Sequence, residues 1–321
     1  MIYKKIELYP KTWIKTPLES DTILWYVFAF GFVQNNDEIK QIFEDFKTWK
    51  LSLLITNAFV SSENEVFVPR PIYFDTRWEN QMRPDENDLE KAIENESKRK
   101  KKKKVSLIKF TDLKKYLSVE QDEILDNAVQ VNFDDIVQQD VVWKNAIPRF
   151  HTADTNPFAE NADFAKKYTI YVKIFDEEKF NKFFNFMKNL FETIGFWAGK
   201  SRWFWKFEKI KLSGLTEQEK EILNFVEEWK KQGNYLVLNN YKPTDEELEM
   251  IDFDNSYIDI NWKNTKTIQE FNKNFFKGNM NFIKAGSVIN MRSDEKVGWG
   301  QMSLKGSYYE SWKGVNFGYL F

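Results

Sequence analysis

The residue types best suited to chemistry gather in one stretch that contains glycine, tryptophan and basic residues, Gly195–Phe207. Glycines let backbone N–H groups approach phosphates, and tryptophans can stack on unpaired bases. Side-chain donors are present in the same stretch: Lys200, Ser201, Arg202 and Lys206. The spacing is not that of a nucleotide-binding P-loop, G-x-x-x-x-G-K-[ST]. The pattern favours contact with single-stranded nucleic acid, and a helix-ending glycine followed by a strand with core-facing tryptophans is the alternative.

Catalytic chemistry has few candidate residues. His151 is the only histidine, and a histidine near neutral pKa would suit acid–base cleavage at an RNA 2′-hydroxyl. Acidic pairs such as Asp134–Asp135 would suit a divalent-metal nuclease, but a chain with 49 acids contains such pairs by chance. The absence of cysteine excludes thiol nucleophiles and Cys-ligated metals. We therefore expect no catalytic residue, no metal and no cofactor, with RNA cleavage as the alternative.

The overall charge argues for a local or shared nucleic-acid site. Lys and Arg total 47 against 49 Asp and Glu, so the net charge of -2 lacks the basic excess of a free-standing RNA-binding domain. Aromatic residues make up 17% of the chain and would also suit a protein scaffold without RNA. The sequence has no cysteine, no signal-peptide core and no apolar run near the roughly 18 residues of a membrane span. These features predict a cytoplasmic protein with no membrane contact.

The apolar periodicity predicts an α+β fold. The predicted strands are 1–9, 51–60, 65–74, 129–142, 168–175, 203–212, 235–239, 257–262 and 281–290. The predicted helices are 20–32, 37–46, 109–117, 121–128, 177–193 and 216–231, the last with a capping box at Thr216-x-x-Glu219. The order strand–helix–strand, strand–helix–strand favours two ferredoxin-like (RRM-like) βαββαβ units side by side.

A charged segment, Arg83–Lys104, interrupts the first unit. Acids lie at its start, and seven consecutive basic residues, Lys98–Lys104, end it. This charge order complements a helix dipole, so a solvated helix with a basic end is one interpretation. Direct contact between the lysines and nucleic-acid phosphates is the other.

The Gly195–Phe207 stretch resembles the glycine-rich loop of the CRISPR-associated RAMP proteins, G-[IF]-G-G-[KR]-x-S-x-G-x-G-x-F. Gly195, Ser201 and Phe207 match that pattern, whereas three tryptophans and an alanine replace its other glycines. Five further segments, in the same order along the chain, resemble the fourth subunit of the Csm effector complex. They are Ser20–Leu24, Asn57–Phe59, Val66–Pro71, Asn145–Thr152, and Gly286–Ile289 with the closing Asn316–Tyr319. The resemblance covers most of the chain.

This resemblance implies a non-catalytic subunit of a type III-A complex that caps the 5′ end of a CRISPR RNA and holds its 5′ handle. The implied partners are the crRNA 5′ handle, the guide–target duplex, the large HD/Palm subunit and a neighbouring backbone RAMP subunit. The corresponding subunit of a type III-B or III-D complex is the nearest alternative, and a RAMP-type processing endoribonuclease is a further one.

The resemblance also implies a domain organisation and a set of contacts. Residues 1–140 would form the first ferredoxin-like domain with a helical insertion at about 83–128, residues 141–167 a thumb hairpin, and residues 168–321 the second domain with the degenerate loop at 195–207. The predicted RNA-contacting residues are Ser20, Asp21, Arg70, Arg149, Phe150, His151, Thr152, Gly199, Lys200, Ser201, Arg202, Trp203, Lys206 and Arg292.

Overall fold

The fold comes from a computed structural model that describes residues 2–12, 14, 17–48, 50–72, 97, 100–102, 104–118, 121–129, 131, 136–146, 156–196, 206–266, 276–292, 301–304, 315–318 and 321. Its helices are α1 (Ser20–Val33), α2 (Asp37–Lys47), α3 (Leu113–Ser118), α4 (Gln121–Val129), α5 (Glu177–Thr193), α6 (Glu217–Lys231) and α7 (Asp245–Met250). Its strands are β1 (Ile2–Pro10), β2 (Leu53–Ile55), β3 (Phe59–Ser61), β4 (Phe67–Pro69), β5 (Leu107–Lys109), β6 (Val137–Ala146), β7 (Asn156–Ala165), β8 (Lys167–Ile174), β9 (Phe207–Ser213), β10 (Asn234–Leu236), β11 (Ile260–Lys266), β12 (Phe276–Ile283), β13 (Val288–Asn290), β14 (Gln301–Leu304) and β15 (Val315–Gly318).

One five-stranded antiparallel sheet organises the described part of the chain. Its order is β2-β8-β1-β9, and β3 also pairs with β8. Alternation along β1 places Ile6 and Leu8 on one face, opposite Ile170 of β8 and Ile210 of β9. All four side chains are buried in a core that includes the apolar faces of α1, α2 and α5. The expected α+β class is therefore confirmed.

The main sheet combines strands from both predicted domains. In chain order its main elements are β1–α1–β2–β8–α5–β9, which is a single βαββαβ pattern interrupted between β2 and β8. β1 hydrogen-bonds on both edges to strands of the second half, β8 and β9. Strands from the ranges 1–140 and 168–321 thus lie in the same sheet, and the predicted domain boundary stays a prediction.

The interruption contains two further pairs of strands. β4 pairs with β5, which precedes a 3-10 helix at Phe110–Asp112, so the helix predicted from residue 109 starts later, with α3. β6 and β7 form a hairpin of ten paired positions on each strand, from Val137↔Ala165 to Ala146↔Asn156. The hairpin begins four residues before the predicted thumb.

A second, smaller core lies in the C-terminal part. β10 pairs with β13 and β11 with β12. Buried apolar side chains join them: Val237, Tyr241, Ile251, Ile283, Ile289 and Met291. The single strand predicted over 281–290 is divided between β12 and β13 at Gly286, whose φ of 97° is in the left-handed region. A Cβ there would lie 3.1 Å from the Arg70 carbonyl oxygen, so glycine also permits this close approach.

Gly31 determines how closely α1 and α2 pack. A Cβ at this position would overlap the side chain of Ile39, which is buried on α2. We expect Gly31→Ala to lower the free energy of unfolding by about 1–3 kcal/mol, the usual cost of overpacking a core. Urea denaturation measures the change. Gly214→Ala is the control, since a Cβ at Gly214 meets nothing within 4 Å. Equal losses in the two variants would contradict the packing role.

Candidate nucleic-acid interface

The face of the sheet opposite the helical core is closed. Tyr171 stacks on Phe110 with ring centroids 4.4 Å apart, and its hydroxyl donates to Glu219 of α6 at 2.9 Å. Lys5 donates to the same carboxylate at 2.9 Å. RRM-type domains stack RNA bases on a sheet face of this kind. Here α6 and the 3-10 helix cover it, so this face is not open to RNA.

A second carboxylate of α6, that of Glu227, balances the other buried charges on this face. Its Oε1 accepts from the Tyr3 hydroxyl at 2.5 Å, from Lys173 at 2.8 Å and from Lys230 at 3.3 Å. Burial alone would raise the pKa of Glu227, but these donors and the two positive charges lower it to about 2. Burial lowers the pKa of Lys230 to about 8. The closed face is thus a compact charge network that belongs to the fold.

The predicted RNA contacts Ser20 and Asp21 are buried at the start of α1. The Ser20 N–H donates to Oδ1 of Asn57 at 2.9 Å. Asp21 Oδ1 accepts from Lys263 Nζ and from Asn240 Nδ2, each at 2.7 Å. Asp21 is only 5% exposed. Ser20 Oγ accepts from the Asn240 N–H at 3.4 Å, so both side chains make internal contacts in this conformation.

Lys263 of β11 is the centre of this internal network. It bridges Asp21 and Glu19, with Nζ 2.5 Å from Oε2 of Glu19. Burial alone would lower the pKa of Lys263, but the two carboxylates outweigh it and the pKa is raised. Burial raises the pKa of Glu19, and Asp21 adds to that effect while Lys263 opposes it. This network was not predicted, since nothing in the local sequence pattern of β11 marks a lysine that faces inward.

A cavity of about 300 Å³ opens beside the same network. Its walls come from the start of α1, from β3, β4 and β5, and from the base of the β6–β7 hairpin. The lining is mostly apolar: Ile14, Pro17, Leu18, Ala58, Phe59, Val60, Phe67, Pro69, Leu107 and Val137. Glu19, Asn57 and Tyr168 add polar groups. The resemblance pointed to two of its segments, Asn57–Phe59 and Val66–Pro71, but not to a cavity between them.

Three further predicted contacts lie apart from the cavity. Arg70 donates from Nη1 to the carbonyl oxygen of Lys102 at 3.0 Å, at the end of the basic run. The Lys206 N–H donates to Thr12 Oγ1 at 3.0 Å and its carbonyl accepts from the Lys11 N–H at 2.8 Å, which fixes the end of the 195–207 stretch. Arg292 is exposed, with Nη2 4.0 Å from Asp252.

The other predicted contacts lie outside the described residues: Arg149, Phe150, His151, Thr152, Gly199, Lys200, Ser201, Arg202 and Trp203. Their roles remain predictions. The β6–β7 hairpin leads to the first four, and Phe196 and Lys206 flank the other five.

The basic run 98–104 is described at four of its positions. All four are helical, and Lys102 pairs with Asp126 of α4 at 2.9 Å. Lys100, Lys101 and Lys104 are exposed. Both interpretations of the run, a solvated helix end and a phosphate contact, fit these positions.

Within the part of the chain that the structure describes, no three His, Asp or Glu side chains are grouped so that they could hold a metal ion. None of the helices described there is both long and apolar enough to cross a bilayer.

Comparison with solved structures identifies the fold. A chain in the crystal structure of the Csm3-Csm4 subcomplex of the type III-A CRISPR-Cas interference complex is similar at a TM-score of 0.64 and 12% identity, with 99% of this chain and 98% of that chain covered. A chain of the Csm1-Csm4 cassette in complex with cA4 gives a TM-score of 0.57 at 12% identity, with 100% and 96% covered. The same cassette with pppApA gives 0.55. No protein-family model and no curated protein sequence matches the chain.

The shared fold confirms the structural side of the resemblance. The chain shares this fold with chains of the Csm3-Csm4 subcomplex and of the Csm1-Csm4 cassette, and these are the particular structures that it resembles. At 12% identity the similarity concerns the fold.

Proposed function

We propose that this chain is a non-catalytic, RNA-binding subunit of a type III CRISPR effector ribonucleoprotein, where it caps the crRNA 5′ end and holds the 5′ handle. The observation that carries the proposal is the match of the fold over essentially the whole length of both chains. The ordered resemblance of six short segments, including the 195–207 stretch, supports it independently of the fold.

The RNA contacts in this proposal lie outside the closed sheet face. The 195–207 stretch joins α5 to β9, and the contacts of Lys206 with Thr12 and Lys11 hold one end of it at the edge of the main sheet. Handle nucleotides are single-stranded, so their bases are free to stack on Trp203 while phosphates meet Lys200 and Arg202. The β6–β7 hairpin is the candidate thumb, with Arg149 and His151 between its strands, facing the guide–target duplex.

Contacts with protein neighbours form the other half of the proposal. Ile260 and Trp262 on β11 are 62% and 66% exposed, although both side chains are large and apolar. Exposed apolar surface of this kind is typical of subunit contacts. In the proposed complex the neighbours are the large HD/Palm subunit and a backbone RAMP subunit. A near-neutral net charge of -2 agrees with an RNA site that is shared with such neighbours.

Two arginine substitutions test the RNA contacts. Arg202→Ala removes a charge-assisted contact to the handle and is expected to weaken handle retention by about 1–3 kcal/mol. Arg149→Ala is expected to spare the handle and to disturb pairing at the first guide nucleotides. Both effects are measured on the purified complex, by the RNA retained after a salt wash and by crosslinked peptides.

The control is Lys220→Ala, an exposed lysine of α6 paired with Glu217. It should change neither readout. A purified complex that carries no RNA would contradict the proposed function as a whole. Retained RNA with equal effects of both arginine variants would instead contradict the assignment of two separate contacts.

A further inference from the structure

The cavity beside the start of α1 has the size and lining of a small-molecule site. Its volume of about 300 Å³ lies at the lower end of the range of about 300–1,000 Å³ seen for ligand pockets. It therefore suits a group smaller than a typical drug molecule. Phe59 and Phe67 line it beside the ring of Tyr168, and all three are less than 9% exposed. These walls suit a flat, apolar face.

Asn57 supplies an oriented hydrogen-bond donor to this cavity. Its Oδ1 accepts from the Ser20 N–H at 2.9 Å, and its own N–H donates to the Leu238 carbonyl at 3.1 Å. Because a backbone N–H requires an acceptor, the side-chain amide can have only one orientation. Oδ1 is therefore engaged by Ser20, and Nδ2 is the end of the side chain that can donate to a ligand.

Glu19 supplies an acceptor that is equally well fixed. Its Oε1 accepts from Asn261 Nδ2 at 3.1 Å, and its Oε2 pairs with Lys263. Each carboxylate oxygen can accept a second hydrogen bond. A carboxylate in the wall also disfavours a phosphate or another anion as the occupant.

We infer that this cavity binds a single unpaired nucleobase, whose faces lie against the apolar walls and whose edge meets Nδ2 of Asn57 and the carboxylate of Glu19. The inference rests on the proposed RNA-binding function and adds a base-binding site that the 195–207 stretch does not include. A base combines apolar faces with an edge of donors and acceptors. A purely apolar side chain from a neighbouring protein would offer no acceptor to Nδ2 of Asn57, which is unfavourable in a mostly apolar cavity.

The location of the cavity explains how a base reaches it. Val137 and Tyr168 flank the β6–β7 hairpin at its base, where both line the cavity. RNA that follows the hairpin can turn one nucleotide out of its stack and into this opening, at the modest cost of unstacking. The hairpin and the cavity then form one continuous binding surface.

The test uses the assembled complex with RNA that carries 4-thiouridine at one position at a time. Photocrosslinking is expected to join one nucleotide position to the peptide that contains Phe59 or to the peptide that contains Tyr168. Asn57→Asp keeps the acceptor for the Ser20 N–H and removes the donor from the cavity. The substitution is expected to reduce the yield of that crosslink about tenfold, which is the effect of one lost hydrogen bond in a buried site. The total amount of retained RNA should stay nearly constant.

Asn36→Asp is the matched control, because Asn36 Oδ1 likewise accepts a backbone N–H at a helix start, that of Ile39, far along the chain from the cavity lining. The crosslink yield of the Asn36→Asp variant should equal that of the unsubstituted protein. Ala58→Leu is a second variant that fills the cavity without touching the Ser20 contact, and it should lower the same crosslink. Thermal denaturation verifies that each variant is folded.

The outcomes separate the inference from the function on which it rests. Retained RNA without a crosslink to these peptides would overturn the cavity inference and leave the proposed function standing. An unchanged crosslink in both Asn57→Asp and Ala58→Leu would also overturn it. A complex without RNA would overturn the proposed function and the cavity inference together.

Discussion

Glu227→Ala is expected to lower the free energy of unfolding by about 3–5 kcal/mol, the usual cost of removing one partner from a buried ion pair. One oxygen of Glu227 accepts from Tyr3, Lys173 and Lys230. The side chain of Lys173 is only 7% exposed, so the substitution leaves a lysine under α6 without its counter-charge. Urea denaturation near neutral pH measures the loss.

The neighbouring residue provides a matched control. Glu228 pairs with Lys231 at 2.6 Å on the same helix, but both side chains are more than 60% exposed. Exposed pairs contribute about 0–1 kcal/mol, so Glu228→Ala should have a small effect. Similar losses in the two variants would show that Glu227 does not hold α6 on the sheet.

Acid unfolding gives an independent readout of the same residue. The pKa of Glu227 in the folded protein is about 2, below its ordinary value of 4.5. A lowered folded-state pKa gives stability that is fully present above pH 4.5 and is lost as the pH falls through 2. The difference corresponds to about 3 kcal/mol at 1.4 kcal/mol for each pH unit. Glu227→Gln should therefore lose less stability than the unsubstituted protein between these two pH values.

The sequence predicted the elements with a regular apolar period well. The starts of α1 and α2 and both ends of α5 agree with the expected ranges, and the capping box of Thr216 and Glu219 is present at the start of α6. These features depend on residues within one or two helical turns of each other. Local patterns report such contacts directly.

Strand pairing could not be predicted in the same way. β1 lies between β8 and β9, whose residues are more than 150 positions away in sequence, and no local period encodes that choice. β11 shows the same limit on a smaller scale. Apolar alternation would turn Ile260 and Trp262 inward, whereas the structure exposes them and turns Asn261 and Lys263 toward α1. The carboxylates at the start of α1 decide this orientation.

The candidate site was predictable only in part. The Asn57–Phe59 and Val66–Pro71 segments were recognised by resemblance, and both line the cavity. Its other walls come from the start of α1, from β5 and from the hairpin base, so the cavity is visible only in the folded chain. Ser20 and Asp21 were assigned to RNA on the same kind of resemblance, yet burial gives them internal partners.

Lys263→Met is expected to have the second large effect on stability. The substitution removes the cation that bridges Glu19 and Asp21, whose side chains are 18% and 5% exposed. Two buried carboxylates then face each other without a counter-charge. We expect a loss of about 3–5 kcal/mol in the free energy of unfolding at neutral pH.

The control for this variant comes from the same region of the chain. Lys284 follows β12, which pairs with β11, and it forms an ion pair with Asp259 at 3.2 Å in which both side chains are about half exposed. Lys284→Met should therefore cost less than about 1 kcal/mol. Equal losses in the two lysine variants would contradict the bridging role of Lys263.

The pH dependence of Lys263→Met distinguishes loss of charge balance from loss of packing. Burial already raises the pKa of Glu19, and Lys263 opposes that rise, so its removal should raise the pKa further. A folded-state pKa above the unfolded value gives stability that is present at low pH and is lost as the pH rises through the folded value. The Lys263→Met variant should thus regain stability on acidification from neutral pH toward the ordinary pKa of glutamate. Adding Glu19→Gln to the same chain should restore part of the lost free energy of unfolding at neutral pH. The loss in the free energy of unfolding could instead stay constant with pH and remain unchanged by Glu19→Gln. Lys263 would then contribute through its methylene chain, and the charges of Glu19 and Asp21 would not hold β11 against α1.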